Sequence, residues 1–169
     1  MLVRAALPDD ADAIGRIRVN AWRAAYRDYM PATYLAGLDA SANLDALRAT
    51  LRAPTPPYRA TVIELGAELV AFSIVGPPRY PSKPGTLELW ALNVEPGHWH
   101  KGCGKRLMEE ALRRPPQRCE LRMELWCISG NHAARRLYES CGFVRTGADR
   151  STSTLTGHPL DEVAYAKAL

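Results

Sequence analysis

The stretch LELWALNVEPGHWHKGCGKRLMEEALRR, Leu87 to Arg114, leaves a chain like this few ways to fold. Leu87, Leu89, Leu92 and Val94 mark a strand, but the step from Leu89 to Leu92 breaks strict alternation. A bulge is the simplest way to absorb the extra residue. Pro96 and Gly97 end the strand. Gly102 and Gly104 then let the backbone come close to something at the start of a helix. That helix carries Leu107, Met108, Ala111 and Leu112 on one face until Pro115 and Pro116 stop it. Free N–H groups at a helix start, beside Lys101, Lys105 and Arg106, form a site for phosphate.

Two familiar phosphate signatures fail on this loop. Gly97 and Gly102 have the Walker spacing, but Cys103 follows where a lysine is required. The dinucleotide fingerprint needs a third glycine or alanine, and Leu107 stands there. The decision comes from downstream. ELRMELWCISGNHAARRLYESCGF, Glu120 to Phe143, reads as a strand, a short loop, and a helix capped by Asn131 and closed by Gly142. Asn131, Ala134, Tyr138, Gly142 and Phe143 fit N-x-x-A-x-x-x-Y-x-x-x-G-F. Together with the G-x-G loop they make the chain resemble the GCN5-related N-acetyltransferase superfamily. One position departs from that pattern: Trp99 stands where the loop usually begins with Gln or Arg.

At 169 residues, 47% of them hydrophobic, the chain can enclose a proper core. No apolar run approaches the roughly 20 residues of a membrane span, so no membrane partner is expected. The N-terminus lacks the apolar run of a secretory signal. Cys103, Cys119, Cys127 and Cys141 show no C-x-x-C spacing and read as free thiols of a cytoplasmic protein. His98 and His100 flank Trp99, and two histidines alone make a poor metal site, so no metal is expected. A net charge of +4 suits nucleic acid or a polyanionic cofactor. Without a basic stripe interleaved with aromatics, nucleic acid is set aside.

Taken in order, Leu2 to Leu7 reads as a strand, and Asp9, Asp10 and Asp12 open a helix through Ile14, Ile17, Ala21, Trp22 and Ala25. Leu44, Leu47 and Leu51 mark a second helix. Arg59 to Leu65 and Glu68 to Val75 form a hairpin across Gly66-Ala67. A proline-rich loop, Gly76 to Gly85, delivers the chain to the bulged strand. Val144 to Thr154 and Leu160 to Ala168 are the last strands.

The resemblance implies one N-acetyltransferase domain over residues 1–169. Its fold would be α/β: a mixed, largely antiparallel central sheet of about seven strands, flanked by about four helices and splayed open between the fourth and fifth strands. It implies acetyl-CoA as acetyl donor and the primary amine of a small molecule or protein as acceptor. The backbone of Leu92, Asn93 and Val94 would hold the pantetheine arm. The pyrophosphate would rest on His100, Lys101, Gly102, Cys103, Gly104 and Lys105, and Asn131 would face the same arm. Tyr138 is the implied acid and Glu88, fourteen residues before Gly102, the implied base. For Glu88 the competing reading is a solvent-facing carboxylate. Tyr26 and Tyr29 either border the acceptor pocket or pack in the core, and Trp22 reads as core. Cys127 reads as a buried thiol rather than a nucleophile, and Glu95 as exposed in a turn. Such proteins often dimerise, and the edge offered by residues 144–168 would suit a homodimer. The rival function is a non-catalytic acyl-CoA-binding or sensory domain, which would need neither Glu88 nor Tyr138.

Overall fold

The computed structural model describes residues 1–113 and 121–169. Its strands are β1 (Leu2–Ala5), β2 (Arg59–Leu65), β3 (Glu68–Gly76), β4 (Thr86–Val94), β5 (Arg122–Ile128), β6 (Val144–Thr152) and β7 (Leu160–Ala168). They form one sheet in the order β1-β2-β3-β4-β5-β7-β6. Every neighbouring pair is antiparallel except β4 with β5. The helices are α1 (Ala11–Ala25), α2 (Ala32–Ala36), α3 (Leu44–Arg52), α4 (Cys103–Leu112) and α5 (His132–Ser140). The expected strands and helices are therefore present, and the short α2 adds a fifth helix to the four anticipated. The expected helix stop at Pro115 and Pro116, the strand start at Glu120, and Cys119 lie outside the described residues.

Period-two alternation puts Met123, Leu125 and Cys127 of β5 on one face of the sheet. There they join Tyr165, Val163, Leu89, Met108, Tyr138 and Phe143 in the largest buried cluster. Leu107 and Met108 of α4 are fully buried, each worth about 1.5–3 kcal/mol of hydrophobic stabilisation. The opposite face is covered by α1, whose Ile14 and Ile17 pack with Val62, Phe72 and Leu51. Trp22 joins Met30, Leu35, Ile128 and Leu160 in an apolar cluster, as its core reading required.

The bulge lies where the broken alternation put it. Ile74 of β3 faces Ala91, but Val75 faces Leu89, so Trp90 is the extra residue. Its indole lies over Gly76 and donates to the Pro77 carbonyl at 2.9 Å, fixing the start of the proline-rich loop. β5 follows β4 for only three register pairs, from Thr86↔Arg122 to Glu88↔Glu124, whereas it follows β7 for seven. Beyond Glu88 the two strands part, and the sheet opens there as expected.

On the far edge, β6 is the outer strand and β7 lies inside the sheet. The β6 register slips between Arg145 and Asp149, and those two side chains pair at 2.7 Å across the irregularity. Such breaks and charges blunt an edge against pairing.

Candidate active site

The parting of β4 and β5 leaves backbone groups on β4 without a neighbouring strand. The Glu95 amide donates to the Val70 carbonyl at 2.8 Å. In an antiparallel ladder the bonded residues alternate, so Asn93 and Ala91 also direct their backbone groups at β3. Leu92 and Val94 then direct theirs into the gap. Of the three residues expected to offer backbone groups there, Leu92 and Val94 are so placed, whereas Asn93 has its backbone in the β3 ladder. The Val94 carbonyl accepts a 2.7 Å hydrogen bond from Trp99 Nε1. The unusual tryptophan thus ties the loop to the end of the strand.

After Trp99 the chain turns through His100 (φ 60°) and Gly102 (φ 86°) into α4. Gly102 is needed for its left-handed backbone, since open space surrounds it. Gly104 is needed for close approach: a Cβ there would stand 3.0 Å from a methyl of Leu137. Among the described residues, no backbone acceptor meets the amides from His100 to Lys105; helical bonding resumes with Arg106 N to Gly102 O at 3.0 Å. Lys101 and Lys105 are exposed beside them. Unpaired amides, a helix dipole and two cations meet the requirements of a pyrophosphate. Glu95, expected in an exposed turn, is half-buried and accepts from Asn20 Nδ2 at 2.6 Å.

On the other side of the gap, Asn131 Oδ1 caps α5 by accepting from the Ala134 amide at 3.1 Å. The helix is pinned to β7 through Tyr165, whose hydroxyl accepts from Arg135 Nε at 3.0 Å and donates to Glu139 Oε1 at 2.7 Å. This fixes Tyr138, which is 8% exposed and set against Phe143 and Tyr165, with ring centroids 6.3 Å from each. Burial pushes its pKa well above the usual value of 10, and Cys127 and Tyr26 nearby push it further. Burial likewise raises Tyr26, helped by Cys127, while the Asn131 side chain opposes the shift. Tyr26, Cys127, Asn131 and Tyr138 are therefore gathered around one spot. The Cys127 thiol is pushed up to about 12, chiefly by burial. So little thiolate exists at neutral pH that a nucleophilic role is out of reach. Burial also raises Cys103.

Tyr29 has a bracing role. Its hydroxyl donates to the Gly130 carbonyl at 2.7 Å, and its ring covers the Gly130 Cα. It joins the α1–α2 connection to the β5–α5 loop.

Glu88 is not solvent-facing: it is 3% exposed. Its Oε2 accepts from the Arg79 amide at 2.7 Å, and its Oε1 accepts from Arg79 Nε at 3.0 Å and Nη2 at 2.6 Å. Arg79 was not anticipated. A side chain in a loop gives no periodic signal, although an arginine among Pro77, Pro78, Pro81 and Pro84 is rigidly presented. Beside Glu88, on the same face, lie Glu124 and Trp126 of β5, with Tyr80 and Arg150 packed on Trp126. The alternation Arg122, Glu124, Trp126 against Met123, Leu125, Cys127 was the legible trace of that face. Among the described residues, no cluster of three His, Cys, Asp or Glu could hold a metal, and no helix is long and apolar enough to cross a membrane.

Comparisons with solved structures agree with this architecture. A ribosomal-protein-alanine N-acetyltransferase from Brucella melitensis is 22% identical, with all of both chains covered and a TM-score of 0.77. The paia N-acetyltransferase from Thermoplasma acidophilum, in complex with coenzyme A, is 16% identical over 99% of this chain and 98% of its own, at 0.76. The yncA protein from Salmonella typhimurium, with its cofactor acetyl-CoA, is 24% identical over 100% of this chain and 94% of its own, at 0.69. At these identities the likeness is one of fold. No curated protein matches the chain. The model of the Acetyltransferase (GNAT) family matches residues 19–143, which include the bulged strand, the glycine loop and the Asn131–Phe143 motif. The chain belongs to the acetyltransferase (GNAT) family.

Proposed function

We propose that this protein transfers acetyl from acetyl-CoA to a primary amine by direct attack, without a covalent acyl-enzyme. One observation carries the reading. The unpaired amides of residues 100–105, the backbone groups of Leu92 and the Val94 amide face the gap where β4 and β5 part, with Glu88 in the last register pair before it and Tyr138 packed beside Cys127 of β5. Acetyl-CoA supplies the activated thioester. The loop amides, with Lys101 and Lys105, bind its pyrophosphate. Leu92 and Val94 pair with the amides of its arm, and Asn131 borders the same opening. Tyr138 is a hydrogen-bond donor to the departing sulfur. Its raised pKa keeps it protonated, so donation rather than complete proton transfer is its role. Glu88 takes the amine proton, directly or through a water, by releasing one hydrogen bond from Arg79. The new C–N bond forms as the C–S bond breaks. A binder without catalysis would have no use for Tyr138 at the opening or for a buried carboxylate on the acceptor face.

The test has two parts. Acetyl-CoA and CoA should raise the melting temperature well above the effect of ATP or NAD at equal concentration. Free CoA should then appear when primary amines are added. Equal stabilisation by all four ligands means generic anion binding. Binding of acetyl-CoA with no CoA release across a broad amine panel leaves a binding domain.

A further inference from the structure

We propose that Arg150 is the acceptor-recognition residue, and that it selects a small amine bearing a carboxylate, an amino acid or a close analogue. The proposal rests on the acetyl-transfer reading and adds the acceptor's chemistry to it.

The guanidinium of Arg150 sits in the corner between two aromatic rings. Its Cζ is 4.0 Å from the centroid of Tyr80 and 4.0 Å from that of Trp126, and the rings meet edge to face. Its Nε donates to Glu162 Oε2 at 2.6 Å, with the two side chains 23% and 18% exposed. Nε is the one guanidinium nitrogen so used. Among the described residues, Nη1 and Nη2 have no hydrogen-bond partner, and neither is sealed from solvent. A guanidinium held by two ring faces and a carboxylate, with its terminal fork open, is built to receive a planar anion in two parallel hydrogen bonds. The side-chain entropy that a free surface arginine would lose on binding is already spent in the fold.

Its position gives the fork a purpose. Arg150 pairs in register with Glu162 of β7, and Glu162 pairs with Ile128 of β5. It therefore shares a sheet face with Trp126, Glu124 and Glu88. Trp126 lies two residues past Glu124, or about 6.6 Å along the strand. Glu124 stands opposite Glu88 in the last pair before the strands part. The fork thus stands one short molecule's length from the buried carboxylate proposed to accept the amine's proton. An acceptor with a carboxylate a few bonds from its amine spans the two. Arg79 cannot replace Arg150 in this role, because Glu88 already engages its Nε and Nη2.

The experiment offers acetyl-CoA with each standard L-amino acid beside its α-amide, following CoA release. It uses the parent chain, Arg150→Gln, Arg150→Lys and Arg150→Ala, adds agmatine to the acceptors, and calorimetry repeats the amino acid titrations without acetyl-CoA. At least one free amino acid should be preferred to its amide. Arg150→Gln should raise the KM of that amino acid roughly tenfold to hundredfold, the usual cost of a lost charged hydrogen bond, and leave the amide's KM in place. Arg150→Lys should recover part of the loss, and acetyl-CoA affinity should not move in either variant. Amides used as well as free acids would overturn the proposal, as would an unchanged KM in Arg150→Gln. So would faster acetylation of agmatine, an amine with a guanidinium tail, by Arg150→Ala, since the arginine would then be a plug in a cation cage. Failure of the acetyl-transfer reading shows separately, as absent CoA release. The calorimetric titration still decides the carboxylate site in that case, and no heat with any amino acid overturns it.

Discussion

Tyr138 carries a hydroxyl that does not ionise in the working range, and its neighbours make sure of that. Its raised pKa has a kinetic consequence whose sign is fixed. The phenol is fully protonated below its pKa, so its contribution to the rate does not titrate between about pH 6 and about pH 9. Tyr138→Phe should therefore lower kcat by the roughly 10²–10³-fold expected when one hydrogen-bond donor to developing charge is lost, by the same factor at every pH, with acetyl-CoA affinity retained. Glu88→Gln should behave differently: its deficit should shrink as pH rises toward the acceptor amine's pKa, about 10.4 for a lysine-like amine. Paired pH–rate profiles check both. A Tyr138→Phe protein as fast as its parent would remove the hydroxyl from the mechanism. Asn131, Tyr138 and Gly102 were legible because each belongs to a short motif with its own local geometry. Arg79, Trp126 and Arg150 were not, because what matters about them is mutual. Trp126 and Arg150 meet with Tyr80, and Arg79 meets Glu88, only once separate segments share a sheet face.

At the scale of elements, α4 depends on two glycines for unlike reasons, and substitution should separate them. Gly102→Val forces a β-branched residue to φ 86° in open space, so the loop must change shape. Gly104→Val drives a side chain into Leu137, so α4 must move off α5 and β4. We expect both variants to lose at least tenfold in acetyl-CoA affinity by calorimetry. Both should also lose about 1–3 kcal/mol of stability, Gly102→Val through backbone strain and Gly104→Val through overpacking, and only at position 102 should an asparagine, which tolerates left-handed backbone, recover most of it. Normal affinity in a folded Gly102→Val protein would put the pyrophosphate elsewhere. Long elements such as α1, α4 and the β2–β3 hairpin were legible from periodicity and turn residues. The five residues of α2 were not, being too few for a helical repeat to declare itself. The slip in β6 escaped notice too, since a mostly exposed strand has no buried face to fix its register.

For the molecule as a whole, the edge at β1 is tied down by charge. Asp10 receives Arg4 at 2.6 and 2.9 Å and the Leu7 amide at 2.7 Å, while Arg4 also reaches Glu64 on β2. The hydrogen bond from Arg4 is the main reason that the pKa of Asp10 is lowered. A lowered carboxylate contributes its full stability above its unfolded pKa, about 3.9, and loses it as pH falls through the folded value. Asp10→Asn should therefore lower the melting temperature near neutral pH, and the gap to the parent should close below about pH 4. A gap that stays constant well below that pH would show that the charge is not what matters. A different line crosses the middle of the molecule, where β4 and β5 share three register pairs. Mechanically this is the seam of the fabric, stitched at one end and open at the other. Under the proposed reading, a chain of amides laid against Leu92 and Val94 continues the weave that β5 abandons. The substrate is then, for the length of one turnover, a piece of secondary structure, and its release unpicks the sheet by that much.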